Sequence, residues 1–320
     1  MFAAVTLYAV FAGADFGTGL WDLIAGGAKK GASTRRLIDK ALGPVWEANH
    51  VWLIFVLVLL WSGFPRPFAT IMRELAIPFW LVGLGIVLRG SGFAFRKFAP
   101  TLEAARLAGI VFAGSSLFTP FFLGTIAGAI ASGRVGAGIT DEVIWLSPTS
   151  ILGGILATGT CAFLAAVFLT DVAERSGDSD LTEDLRLKAL ISGAVTGLIS
   201  LGGIFVLASD APTLFDGLIG RGGAGILVAA LAGSFTMVML AQGYSRRARF
   251  AAVLAVATVV IGWGFAQFPW ILVDNVTIAE GAGHPATLTA LLIAAAIATL
   301  VVVPALVLLF RLVDTDQLGQ

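Results

Sequence analysis

Charge is scarce in this chain. Only 12% of its 320 residues are Asp, Glu, Lys or Arg and 58% are hydrophobic, where soluble domains carry about 25% charged residues. So little charge cannot clothe a water-facing surface. The 20 basic and 20 acidic residues cancel, which gives no reason to expect nucleic acid or another polyanion as a partner. A single cysteine, Cys161, excludes an intrachain disulfide and any zinc or iron–sulfur site built on several thiolates. It lies in an apolar run and reads as a small buried residue. Histidine is nearly as rare, with only His50 and His284. No basic region precedes the first apolar stretch, because the first charge is Asp15 and the first cations are Lys29 and Lys30. The pattern of a cleaved secretory leader is therefore missing, and the first helix is expected to be retained.

What is present is a succession of apolar windows. A hydrocarbon core of about 30 Å needs about 20 predominantly apolar residues per helix. Nine windows meet this, at residues 2–25, 44–64, 71–89, 106–131, 149–170, 188–208, 218–242, 250–273 and 287–310. The connections between them reach about 18 residues, well below the roughly 50 of the smallest typical domain. The expectation is an all-α integral membrane protein, one membrane domain over residues 1–320, with about nine transmembrane helices. Orientation follows from Lys and Arg. One set of loops and the C-terminal tail hold 15 of these cations, and the other side holds four, Arg66, Arg73, Arg134 and Arg221. This bias predicts the N-terminus outside and the C-terminus in the cytoplasm.

A few ionisable residues fall at membrane depth. Residues 1–14 are too few to span, so the first helix must run past Asp15 and carry that carboxyl into the bilayer. Such groups are costly there and usually face a bundle interior, a partner or a water path. Gly13 and Gly17 flank Asp15 at four-residue spacing and would let another backbone come close. Asp15 reads first as a carboxyl satisfied structurally by a neighbouring helix and only second as a participant in proton movement. The second helix must likewise extend back to Pro44, which suits its first position. Trp46, Glu47, Asn49 and His50 then occupy its first turns. Glu47 and His50, three apart, are neighbours on the helix surface and have the chemistry of a proton relay. The plainer alternative is a helix-start acid favoured by the dipole, with Trp46 and Trp52 as interfacial residues. Arg89 ends the third window, where it would neutralise Asp15 or Glu47 or snorkel to lipid phosphate. Arg96 reads as an ordinary cytoplasmic cation.

Ligands for a redox group are thin. A b-type haem on His50 would want a second good ligand, His284 precedes Pro285 in an outer loop, and of four methionines only Met237 and Met239 lie well inside a helix. The glycines at 222, 223 and 225 lack the lysine and flanking pattern of a nucleotide loop. No nucleophile triad or metal constellation is evident.

Three motifs carry a family resemblance. Residues 13–19, Gly-Ala-Asp-Phe-Gly-Thr-Gly, are similar to the GFDFGVG-type segment of cytochrome bd oxidase subunit II. Residues 43–52, Gly-Pro-Val-Trp-Glu-Ala-Asn-His-Val-Trp, match that family's GPVWEANHVW pattern residue for residue and are the most specific signal. Leu88-Arg89-Gly90 with Phe93-Ala94-Phe95-Arg96 resembles the family's third-helix end. Two departures stand out: Ala12 and Ala94 occupy positions where family members often carry an acid. The N-terminus is also short for the family, so an upstream start is expected.

The resemblance implies the haem-free second subunit of a cytochrome bd-type quinol oxidase of the bacterial inner membrane. It implies no cofactor held directly, with haems b and d in subunit I, quinol as substrate of the complex, and oxygen reduced to water. Subunit I is the implied partner, together with membrane lipid and room for a small accessory membrane subunit. Asp15, Trp46, Glu47 and Arg89 are implied to lie near the subunit interface, with Glu47 helping to deliver cytoplasmic protons and Asn49 and His50 beside it. The alternative is a proton-coupled secondary transporter using Asp15, Glu47 and Arg89. Such proteins often show inverted repeats or broken helices, and neither is apparent in the sequence.

Overall fold

A computed structural model describes residues 1–27, 31–42, 46–139 and 143–314, apart from the side chains of residues 42, 46–48, 97, 306, 307 and 309–314. Among these the chain is almost wholly helical. In order it forms α1 (Phe2–Ile24), α2 (Ala32–Leu42), α3 (Trp46–Gly63), α4 (Pro65–Glu74), α5 (Ala76–Phe98), α6 (Leu102–Ala131) and α7 (Pro148–Arg175). There follow α8 (Ser179–Asp210), α9 (Pro212–Ile219), α10 (Gly223–Ala241), α11 (Ser245–Gln267), a short hairpin of β1 (Trp270–Leu272) with β2 (Val276–Thr277), α12 (Ile278–Gly281) and α13 (Pro285–Asp314). Among the described residues eight helices are long and apolar enough to cross a membrane, or nine when the bent pair α3–α4 is counted as one span.

The bend has a local cause. Phe64 leaves helical geometry and Pro65 takes the first turn of α4, where its missing N–H costs nothing. Residues 49–63 and α4 consequently meet at 118°. Leu75 breaks the chain again before α5. The third span therefore begins at Ala76, not at Ile71, and runs on to Phe98. This corrects the expected position of Arg89, which lies inside the span instead of at its end.

Helix α1 is the hub of the bundle, packing on α3, α6, α7 and α11. Glycine makes its closest contact possible. A Cβ added at Gly17 would stand 1.8 Å from the carbonyl oxygen of Cys161 on α7, so the expected close approach beside Asp15 is made by another helix of the same chain. Leu164, Ala165, Ala166 and Val167 of α7 are completely buried at the centre of the core. By contrast α8 and α13 are almost uncovered, with Phe205 and Leu300 among their exposed apolar side chains, as expected of surfaces facing lipid tails or a second membrane subunit.

The two ends are tied by polar contacts. At one end Arg134 donates to both oxygens of Asp210 at 3.2 and 2.6 Å, and Thr149 adds its N–H and hydroxyl at 2.9 and 2.6 Å. Asn275 donates to the carbonyls of Gly133, Val135 and Val273, fastening the hairpin beneath the loop after α6. At the other end Asp171 accepts from Arg175 and Arg249, each at 2.9 Å.

Candidate functional site

Asp15 and Arg89 form an ion pair in the middle of the bundle. Each has only 2% of its side chain exposed, and Nη2 of Arg89 donates to Oδ1 of Asp15 at 2.8 Å. The same nitrogen reaches the Asp15 carbonyl at 3.2 Å, and Nε donates to Oγ of Ser116 at 3.0 Å. Ser116 in turn donates to the carbonyl of Phe112 at 2.6 Å. The rings of Phe16 and Phe112 lie 4.9 and 5.1 Å from the guanidinium carbon, favourable cation–π distances. Gly92, one turn beyond Arg89, permits this arrangement, since a Cβ there would stand 2.7 Å from the backbone nitrogen of Phe112. Snorkelling to lipid phosphate is ruled out for Arg89 by this burial.

A second rung lies two turns along the same helix faces. Asp22 is seven residues from Asp15 and Arg96 seven from Arg89, about 10.5 Å along each axis. Asp22, 4% exposed, accepts from Nε of Arg35 at 2.7 Å and from Arg96, and Arg96 also donates to Asp39 on α2. Phe112 joins the rungs, because its ring lies 5.0 Å from the Arg96 guanidinium carbon as well. Partial burial pushes the Asp39 carboxyl above its ordinary range, opposed by the Arg96 guanidinium. Arg96 is thus no ordinary cytoplasmic cation, and Asp22 went unremarked in the sequence. The signal was available as paired seven-residue spacings on two helices.

Asn49 and His50 come to the same place from α3. Asn49 is buried, and its amide nitrogen stands 3.5 Å from the carbonyl oxygen of Phe11. The His50 ring lies between Tyr8 and Phe16, with centroids 6.2 and 5.8 Å away. Among the described residues no three His, Cys, Asp or Glu side chains gather as a metal site. Four of the six residues singled out from sequence are therefore brought together: His50 and Arg89 against the ring of Phe16, and Arg89 and Asn49 at the Asp15 carboxyl. The side chains of Trp46 and Glu47 lie outside the described residues.

A family model described as cytochrome bd terminal oxidase subunit II matches residues 1–313. The chain belongs to that family. Among subunit II relatives, the cytochrome bd ubiquinol oxidase subunit 2 of Bacillus subtilis is 30% identical over 165 residues, 49% of this chain and 47% of that protein. The match thus spans about half of that relative's length. The putative cytochrome bd menaquinol oxidase subunit II of the same organism is 24% identical over 332 aligned positions, 98% of this chain and 93% of the relative. A chain of the bd oxidase from Geobacillus thermodenitrificans has the same fold, with a TM-score of 0.78, 24% identity, and coverage of 97% of this chain and 95% of that one. As a subunit II protein the chain is a multi-pass protein of the bacterial inner membrane. Membership leaves the transporter alternative without support. In this subunit II chain the Asp15–Arg89 pair is closed by α5 and α6 of the chain itself.

Proposed function

We propose that this chain is the haem-free second subunit of a quinol-oxidising, oxygen-reducing complex, a single membrane domain packed against subunit I. Its N-terminus lies outside and its C-terminus in the cytoplasm, as the Lys and Arg bias requires. The family match over residues 1–313 carries this reading. Haems b and d, held by subunit I, supply the electron transfer and the oxygen chemistry. The residues of this chain hold helices in place and handle protons.

Two kinds of work divide among the site residues. Asp15 and Arg89 neutralise each other within the chain, which suits a tie that fixes α5 against α1 more than a proton carrier. Glu47 and His50 begin α3 and neighbour each other on its surface. His50 reaches the ground beside Asp15, so a proton taken up at Glu47 has polar groups ahead of it. Glu47, with Trp46 and Asn49 beside it, is accordingly assigned to the entry of cytoplasmic protons near subunit I. The test is quinol-dependent oxygen consumption by the purified complex. Glu47→Ala is expected to lower the rate while Glu47→Asp largely preserves it; equal rates in both variants and the parent remove Glu47 from the route.

A further inference from the structure

Two deeply buried oxygens on one face of α1 have no hydrogen bond of good geometry among the described residues: Oδ2 of Asp15, whose carboxyl the Asn49 side chain approaches more loosely, and the hydroxyl of Tyr8. Asp15 is 3% exposed and Tyr8 9%. Tyr8, Ala12 and Asp15 follow at spacings of four and three, which aligns them along a single helix face. The buried Ala12 puts only a methyl group on that line. Across from it stands α3, whose His50 ring lies 6.2 Å from the ring of Tyr8 and 5.8 Å from that of Phe16.

Arg89 engages only Oδ1 of the carboxylate. An ionised carboxylate has about four acceptor positions and a phenol has a proton to donate. Leaving such groups bare inside a protein costs more than immobilising a water molecule. Buried waters are found where otherwise unsatisfied polar groups gather, typically with two to four such neighbours. We propose that the contact between α1 and α3 holds internal water bound to Oδ2 of Asp15 and to the Tyr8 hydroxyl, a short hydrated seam running past His50 inside the bundle. The water follows from the two bare oxygens alone. Its use as a medium carrying protons past His50 rests on the proton-delivery reading above.

The test is the structure of the two-subunit complex in lipid, at a resolution that shows ordered water, for the parent and for Tyr8→Phe. In the parent, density is expected within about 2.6–3.2 Å of Asp15 Oδ2 and of the Tyr8 hydroxyl oxygen. In Tyr8→Phe the density at the ring is lost, while the Asp15–Arg89 pair and the water on Oδ2 remain. A dry contact in the parent, or a donor side chain of subunit I seated on Oδ2, overturns the proposal. Infrared spectra give a second reading that does not depend on resolution. Bands of internal water, identified by their shift on replacing the solvent with oxygen-18 water, are expected in the parent and reduced in Tyr8→Phe, and their absence from the parent contradicts the seam. Loss of the Tyr8 water with unchanged oxygen consumption leaves the seam standing and removes only its link to proton delivery.

Discussion

Replacing Arg89 by alanine should be among the most damaging single changes in this chain. Both partners of the pair are 2% exposed, so Asp15 cannot turn to bulk solvent when its cation is removed. Breaking a buried pair in this way costs about 3–5 kcal/mol, because one charge is left uncompensated. Replacing both partners by apolar residues of similar volume is often close to neutral. The informative experiment is a double-mutant cycle on the assembled complex with Arg89→Met, Asp15→Leu and the double variant, read by thermal unfolding or by reversible unfolding in mixed micelles. Each single change is expected to be strongly destabilising and the double change milder than their sum, with a coupling of roughly 2–3 kcal/mol. Additivity within about 0.5 kcal/mol would mean that the two charges do not depend on each other. An Arg89→Met complex as stable as the parent would refute the ion pair as a structural tie.

Two further changes probe packing and pH. Gly17→Val places side-chain atoms where a Cβ alone meets the Cys161 carbonyl at 1.8 Å, so α1 and α7 must separate; little or no assembled complex should be recovered, and normal recovery speaks against the close crossing. The N–H and hydroxyl of Thr277 hold the Glu280 carboxyl below its ordinary value of 4.5. A carboxyl depressed by folding adds stability above its unfolded pKa and loses it as pH falls through the depressed value. Glu280→Gln should therefore flatten the acid side of the thermal midpoint plotted against pH, and parallel curves for variant and parent would count against this capping interaction.

The helical plan could be read from residue order because a hydrocarbon core demands long apolar windows: α1 and α10 fall within the stretches expected, and α6, α7, α8, α11 and α13 overlap theirs but run past one or both ends, where polar residues continue the helix. The misplacement of Arg89 has a physical origin. A charge was read as a helix boundary, whereas burial beside an opposite charge on α1 lets α5 carry Arg89 in its interior. Arg96 was misread for the same reason, since its partners Asp22 and Asp39 lie 74 and 57 positions away. The elbow between α3 and α4 was foreshadowed only by Pro65, and the hairpin at residues 270–277 left no periodic signal in so few residues. The grouping of Asp15, Asn49 and His50 was partly legible, because α1 and α3 are neighbours in sequence separated only by the short α2. That Arg89 reaches Asp15 depended on how α5 and α1 both pack against α6.

Affinity purification of this chain from its native membrane, followed by a reduced-minus-oxidised spectrum, tests most directly whether it serves as subunit II of such an oxidase. A haem-bearing partner should come with it and show b- and d-type bands. A colourless preparation without that companion, obtained under conditions that keep membrane complexes whole, would contradict the assignment.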